Sequence, residues 1–294
     1  MPILYTLNQV FQKFDYDWEI SVTKHPTDGY RLAKEAAAAG FDIVAAYGGD
    51  GTVAQVASGL IGTDVPLAIL PGGTANVMSV ELGIPNDLGG ACELFCGTEN
   101  RARWVDMGQI GDRFFLLRAG IGFEAAMVQE ADREAKAGMG VMAYLLSALG
   151  NLRNPPQATY TITMDDKVVE SQGMTCIVAN SGSLGRPGIS LVPNVSVDDG
   201  LLDVIIVRQA DLRTLLAFTA NVAGLTDTTP IAGDDDIEDV VEETEKMLQH
   251  WKAREIEIRS DPIQPVQSDG EMVGDTPIQC RVLPKAIQIL VPLV

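Results

Sequence analysis

Basic side chains are scarce in this sequence: 21 Lys and Arg stand against 40 Asp and Glu, a formal charge of −19 at neutral pH. Nucleic acid is held through clustered Lys and Arg, so a nucleic-acid partner is not expected. The same deficit removes long-range attraction to an anionic bilayer and leaves local docking as the route to a membrane surface. Histidine is scarcer still, with only His25 and His250, which argues against histidine-rich metal sites. Four cysteines, Cys92, Cys96, Cys176 and Cys280, show no C-x-x-C spacing and fit reduced, packed thiols. There is no signal-like beginning, and the longest strongly apolar stretch, 141–149, falls well short of the roughly 20 residues of a membrane span. The expectation is a cytoplasmic chain whose membrane contact, if any, is peripheral.

What is present is a globular composition, 46% apolar and 21% charged over 294 residues. At about 150 residues per domain this suggests two domains. Apolar spacing predicts a helix over 3–14, a strand over 17–23 from its alternation, and a helix ending at Gly40. Strands over 41–47 and 65–70 then alternate with helices over 53–61 and 75–83. Such βαβα repetition with near-continuous apolar strands indicates a parallel sheet covered by helices. Its right-handed crossovers bring the strand ends at Thr23, Gly48 and Pro71 to one ligand-binding edge. After Asp106 the texture changes to strands over 113–118, 159–164, 174–180, 201–207, 255–259 and 286–291, the pattern of a mainly antiparallel β domain. Helices are expected there over 126–136, 141–152 and 212–223. Eight of the twelve residues in 234–245 are acidic, which without EF-hand spacing fits a solvated surface better than a metal site.

Two glycine loops carry the chemistry. Gly48-Gly49-Asp50-Gly51-Thr52 joins a strand directly to a helix, so backbone N–H groups at the helix start can receive phosphate oxygens. Asp50 inside such a loop would repel phosphate unless a cation lies between them; it is a candidate Mg2+ ligand, with a turn residue bonding its own backbone as the plainer alternative. Pro71-Gly72-Gly73-Thr74-Ala75-Asn76 repeats the arrangement one βα unit later, and both loops reach the same crevice. Thr74 can cap the helix or donate to a ligand, and Asn76 can serve the backbone or the ligand.

GGDGT at 48–52 and LPGGTANVMSVELGIP at 70–85, with VPNVSVDDGLLDVIIV at 192–207 and VQSDGE at 266–271, resemble the diacylglycerol kinase and sphingosine kinase superfamily, especially its soluble bacterial lipid kinases. The resemblance implies an α/β nucleotide-binding domain of the NAD kinase and diacylglycerol kinase type over 1–108. It joins a β-sandwich lipid-substrate domain over 109–285, and the last strand, 286–294, returns to the first domain. ATP contacts are implied at Thr23, at Gly48, Gly49, Asp50, Gly51 and Thr52, and at Gly72, Gly73, Thr74 and Asn76. Asp269 takes the place of the general base and Glu271 supports the metal, although Ser268-Asp269-Gly270-Glu271 is equally a hairpin turn. Asp199 matches a structural magnesium ligand, with carbonyls near Ser196 and Leu201 and with Asp198 as the neighbouring alternative.

The resemblance therefore implies ATP and Mg2+ as cofactors, with a long-chain lipid alcohol such as diacylglycerol, met at a membrane surface, as substrate. An apolar helix over 141–149 could line the lipid's route, and homodimerisation is left open. Rival readings are a member that binds nucleotide or lipid without turnover and, less well supported, an NAD kinase-like enzyme sharing GGDG. The family pattern also includes a strand and an Asn-Pro-x-Ser-Gly loop ahead of the first helix, which this sequence does not contain. Val77 stands where some relatives have aspartate, and Ala54-Gln55 replaces a frequent Asn-Glu pair.

Overall fold

The computed structural model describes residues 3–14, 16–123, 125, 157–185, 187, 190, 192, 194–208 and 248–293. The expected helices over 126–136, 141–152 and 212–223 and the acidic segment 234–245 lie outside the described residues.

The first half runs α1 (Ile3–Phe11), α2 (Asp28–Ala39), β1 (Val44–Gly48), α3 (Asp50–Leu60), β2 (Leu67–Pro71), α4 (Val77–Glu81), α5 (Leu88–Cys96) and β3 (Asn100–Ile110). α2 stops where Gly40 takes φ +86° and its N–H turns back to the carbonyls of Ala36 and Ala37. β1 and β2 pair in parallel, Val44 opposite Leu67 through Gly48 opposite Pro71. This register levels the carboxyl ends of the two strands, so both glycine loops leave the sheet at the same height. All of β2 is buried, whereas β1 keeps Ala45 and Tyr47 exposed.

Residues 16–24 form no strand, contrary to the alternation that predicts one over 17–23. Among the described residues β1 is paired along one edge only, by β2, and an extended segment without a neighbour has nowhere to place its backbone hydrogen bonds. Trp18, Ile20 and Val22, the alternating apolar set, are exposed. The segment is held at its two ends: Trp18 meets Phe11 edge-on at 5.1 Å, the Tyr16 hydroxyl donates to the Cys96 carbonyl at 3.0 Å, and Lys24 N–H donates to Asp28 Oδ2 at 2.8 Å. Thr23 consequently does not end a strand.

The second half comprises β4 (Arg113–Phe115), β5 (Arg118–Gly122), β6 (Ala158–Met164), β7 (Lys167–Gly173), β8 (Thr175–Ala179), β9 (Leu202–Val207), β10 (Leu248–Ala253), β11 (Glu255–Asp261), β12 (Pro265–Ser268), β13 (Glu271–Asp275) and β14 (Ile278–Pro292). Among the described residues, one sheet has the order β10-β9-β8-β5-β12-β13; the other runs β1-β2-β14-β11-β6-β7, with β3 pairing β14 and β4. Tyr160, Ile162, Ile256 and Ile258 from the latter pack against Ile121, Val178, Val204, Ile206 and Val266 from the former, forming a sandwich core. β14 is the long element: Ile289 pairs in parallel with Leu67 of β2, while its earlier residues pair antiparallel with β11. One sheet is thus shared by both halves, parallel at one end and antiparallel at the other. No described helix is long and apolar enough to cross a membrane.

Candidate active site

The two glycine loops are in backbone contact. Gly72 N–H donates to the Gly48 carbonyl at 2.9 Å, and a Cβ placed on Gly73 would lie 2.5 Å from the Gly49 Cα. Only glycine allows this approach. Gly51, Gly72, Gly73 and Thr74 are exposed along the resulting ridge. The first N–H groups of α3 lack intrahelical partners, which makes the ridge suitable for phosphate oxygens. Thr52 lies against Gly48, where an added Cβ would come within 2.7 Å of its Oγ1.

Asp50, the first residue of α3, does more than close its own turn. Its Oδ1 accepts the Met78 N–H of α4 at 3.3 Å, tying the two loop–helix units together. Burial raises its pKa against the opposing effects of the Met78 and Val77 N–H groups and the Arg118 charge.

Of the two roles open to it, Asn76 does the backbone one. It stands at φ +46°, is buried, accepts from Gly73 N–H at 2.9 Å and donates to the Gly73 carbonyl at 3.1 Å and to Asn86 Oδ1 at 2.9 Å. Its amide is spent folding the second loop. At the other end of α4, Glu81 accepts from Ser181 Oγ at 2.7 Å and Ser183 N–H at 3.1 Å, fastening the helix to the loop after β8.

Across the groove, Asp269 and Gly270 sit at φ +45° and +87° between the paired residues Ser268 and Glu271, the conformation of a two-residue hairpin turn. The hairpin expectation therefore holds, and the turn carries Asp269 at its tip. Asp269 Oδ2 accepts Leu116 N–H at 2.7 Å, and Oδ1 accepts Leu117 and Arg118 N–H at 3.0 Å each. A carboxylate has about four acceptor positions, so one stays open. Burial lifts the Asp269 pKa to about 6 despite these three donors and the Arg118 charge. Glu271 is exposed, 3.6 Å from Arg113 Nη1.

The two sides meet at a cavity of about 70 Å³ lined by Gly51, Ala54, Gln55 and Ser58 of α3 and by Phe114, Ser268, Asp269 and Glu271. It is far smaller than the roughly 300–1,000 Å³ of a whole-ligand pocket, so it fits only the reacting ends of two larger molecules. Arg118 is a candidate site residue that sequence reasoning missed. It is a buried cation in β5 whose charge acts on both Asp50 and Asp269, and its signal is a lone arginine at the head of the buried strand Arg-Ala-Gly-Ile-Gly.

The expected structural-metal residues lie elsewhere and do not fit a divalent ion. Lys252 Nζ donates to Asp199 Oδ2 at 2.6 Å, and Leu201 N–H donates to Asp199 Oδ1 at 3.0 Å. Asp198 Oδ2 receives Arg103 Nε at 2.9 Å, while its Oδ1 receives Ser196 Oγ at 2.7 Å. Every oxygen of both carboxylates already has a donor. No group of three or more His, Cys, Asp or Glu suited to a metal occurs among the described residues.

An α/β half whose strand-to-helix turns meet over a carboxylate borne by a β-sandwich is the build of a phosphotransferase. The model of the diacylglycerol kinase catalytic domain matches residues 3–110, and that of the YegS C-terminal NAD kinase beta sandwich-like domain matches 118–225; the chain belongs to this diacylglycerol kinase-like family of kinases. Protein sll0036 of Synechocystis sp. is 34% identical over 281 residues, covering 94% of this chain but 61% of that protein, so the chain spans less than two thirds of its length. The diacylglycerol kinase of Bacillus subtilis is 28% identical over 294 residues, 97% of this chain and 90% of that one. The crystal structure of a diacylglycerol kinase from Bacillus anthracis str. Sterne superposes with TM-score 0.69 at 25% identity, covering 99% of this chain and 88% of that one.

Proposed function

We propose that the protein transfers the γ-phosphate of ATP to the hydroxyl of diacylglycerol or a related long-chain lipid. The observation that carries this reading is the shared cavity wall, which sets Asp269 of the β-sandwich beside Gly51 of the first glycine loop. ATP would lie with its phosphates along the loops Gly49 to Gly51 and Gly72 to Thr74, held by backbone N–H groups that need no reorganisation during reaction. The lipid hydroxyl would enter opposite, within reach of the open acceptor position of Asp269. With a pKa near 6, Asp269 is mostly ionised at neutral pH yet basic enough to take the hydroxyl proton as the oxygen attacks. The three backbone donors fix its orientation, which is the positioning contribution expected of an enzyme that aligns two reactants.

Glu271 on the cavity wall and Asp50 at the head of α3 are carboxylates that suit Mg2+, and burial of Asp50 is a penalty that a nearby cation relieves. When bound, Mg2+ would supply charge neutralisation to the phosphates. Docking at a membrane surface would be local and peripheral, given the net charge of −19.

The test is transfer of labelled γ-phosphate to diacylglycerol, phosphatidylglycerol and a sphingoid base in mixed micelles with ATP and Mg2+, for the wild type and Asp269→Asn. A labelled lipid from the wild type and none from the variant is expected. ATP binding without transfer to any lipid would instead leave a nucleotide-binding member without turnover.

A further inference from the structure

Beside β9 the fold collects carboxylates: Asp199 in the loop before the strand and Asp203 within it, Asp203 being fully buried. Asp106 of β3 anchors the same loop by accepting Gly200 N–H at 2.6 Å. A cation is needed there, and this chain provides one covalently. Lys252 of β10 stands directly opposite Asp203 in the β9/β10 register. Its ammonium donates to Asp199 Oδ2 at 2.6 Å and to the Asn194 carbonyl at 2.7 Å, and lies 3.7 Å from Asp203 Oδ1. His250 Nε2, two residues earlier on the same strand, is 2.6 Å from that same Asp203 oxygen.

We propose that Lys252 is the resident cation of this loop, doing the work of a bound divalent ion, so that the β-sandwich closes without a metal at Asp199. Two short oxygen contacts and a third charge nearby match what an ammonium with three donors asks for. Mg2+ would need near-octahedral oxygens at 2.0–2.1 Å, and an ion in the same cage would stand against the ammonium. Burial pulls the Lys252 pKa down, but Asp199 and Asp203 outweigh it and hold it above the usual lysine range.

The experiment is thermal unfolding of the nucleotide-free full chain in EDTA and in millimolar MgCl2, together with terbium luminescence sensitised by the neighbouring Trp251. For the wild type, the melting temperature is expected to be the same in EDTA and Mg2+, with no terbium emission that Asp199→Asn removes. Lys252→Met should melt at least ~2 °C lower, and Lys252→Arg should recover most of that loss. Lys252→Ala, which leaves the cage without its cation, should gain terbium emission and a Mg2+-dependent rise in melting temperature, both abolished by adding Asp199→Asn. The proposal is overturned if EDTA lowers the wild-type melting temperature, Mg2+ restores it and Asp199→Asn removes that response. It is equally overturned if Lys252→Met melts with the wild type. The wild-type comparison decides the matter even where a variant does not fold.

Discussion

Asp269 is the residue on which the chemistry and the pH behaviour converge. As general base with a pKa of about 6, it should give kcat/KM a rising limb centred near pH 6, measurable with a fixed lipid in micelles. Asp269→Asn should lose about 10²- to 10⁴-fold in rate together with that limb. The same group makes a stability statement of opposite sense. Its folded pKa lies above the unfolded value of 3.8, so the folded state holds the proton more tightly between the two. The contribution is fully present below pH 4 and lost as pH rises through 6, about 3 kcal/mol in total by linkage. Chemical denaturation across pH 4 to 7 should show this decline in the wild type and a flatter profile in Asp269→Asn. Asp50 calls for a different substitution. Because its Oδ1 also holds Met78 N–H, Asp50→Ala removes both a charge and a tie between helices. Asp50→Asn keeps the acceptor and isolates the charge. It is expected to melt within ~2 °C of the wild type while losing at least about tenfold in phosphoryl transfer; full transfer by Asp50→Asn would mark Asp50 as a tie alone.

At the scale of elements, the loop pair is the sensitive joint. Gly73→Ala places a Cβ 2.5 Å from Gly49 Cα and 3.0 Å from Asn76 Oδ1, and neither the backbone nor an amide already spent on Gly73 can yield freely. The loops must separate, so calorimetric titration with a non-hydrolysable ATP analogue should weaken at least about tenfold, while global stability falls by ~1–3 kcal/mol. Much of this element was legible from sequence. Strands buried on nearly every position, such as β2, β8 and β9, announce themselves by apolar runs, and glycine spacing locates both loops. β7 did not stand out because Lys167, Glu170 and Gln172 interrupt its apolar pattern, nor did β10, where a histidine and a lysine do the same. The strand expected over 17–23 failed for the converse reason. Alternation records that a segment suits a sheet, not that a neighbour is there to receive it. The site divides the same way: the carboxylates and glycines are visible in the sequence. The N–H groups of Leu116, Leu117 and Arg118 that hold Asp269 belong to every sequence and mark none, and Lys252 acquires its meaning only when β10 pairs with β9.

For the whole molecule, β14 decides whether the halves behave as one. It lies between β2 and β11, so neither half can lose its sheet without stripping hydrogen bonds from the other, and ligand-free unfolding should be a single transition. Asp106 tightens this union from β3. Its Oδ2 takes Gly200 N–H at 2.6 Å from the β-sandwich loop, and its Oδ1 takes Lys285 N–H at 2.7 Å, within the register shift where β14 bends past β3. The carboxylate is nearly inaccessible, at 1% exposure, so Asp106→Ala leaves two backbone donors with no acceptor and little water. Each such orphan costs ~1–3 kcal/mol, which puts the expected loss at roughly 2–6 kcal/mol in chemical denaturation. Asp106→Asn, which keeps one acceptor oxygen, should lose about half as much. The form of the transition is the more searching measurement. Because Asp106 joins strands that are already shared, weakening it should lower the midpoint while tryptophan fluorescence and far-ultraviolet ellipticity continue to change together. Two separated transitions in Asp106→Ala would mean that this carboxylate, and not β14, is what couples the nucleotide-binding half to the β-sandwich.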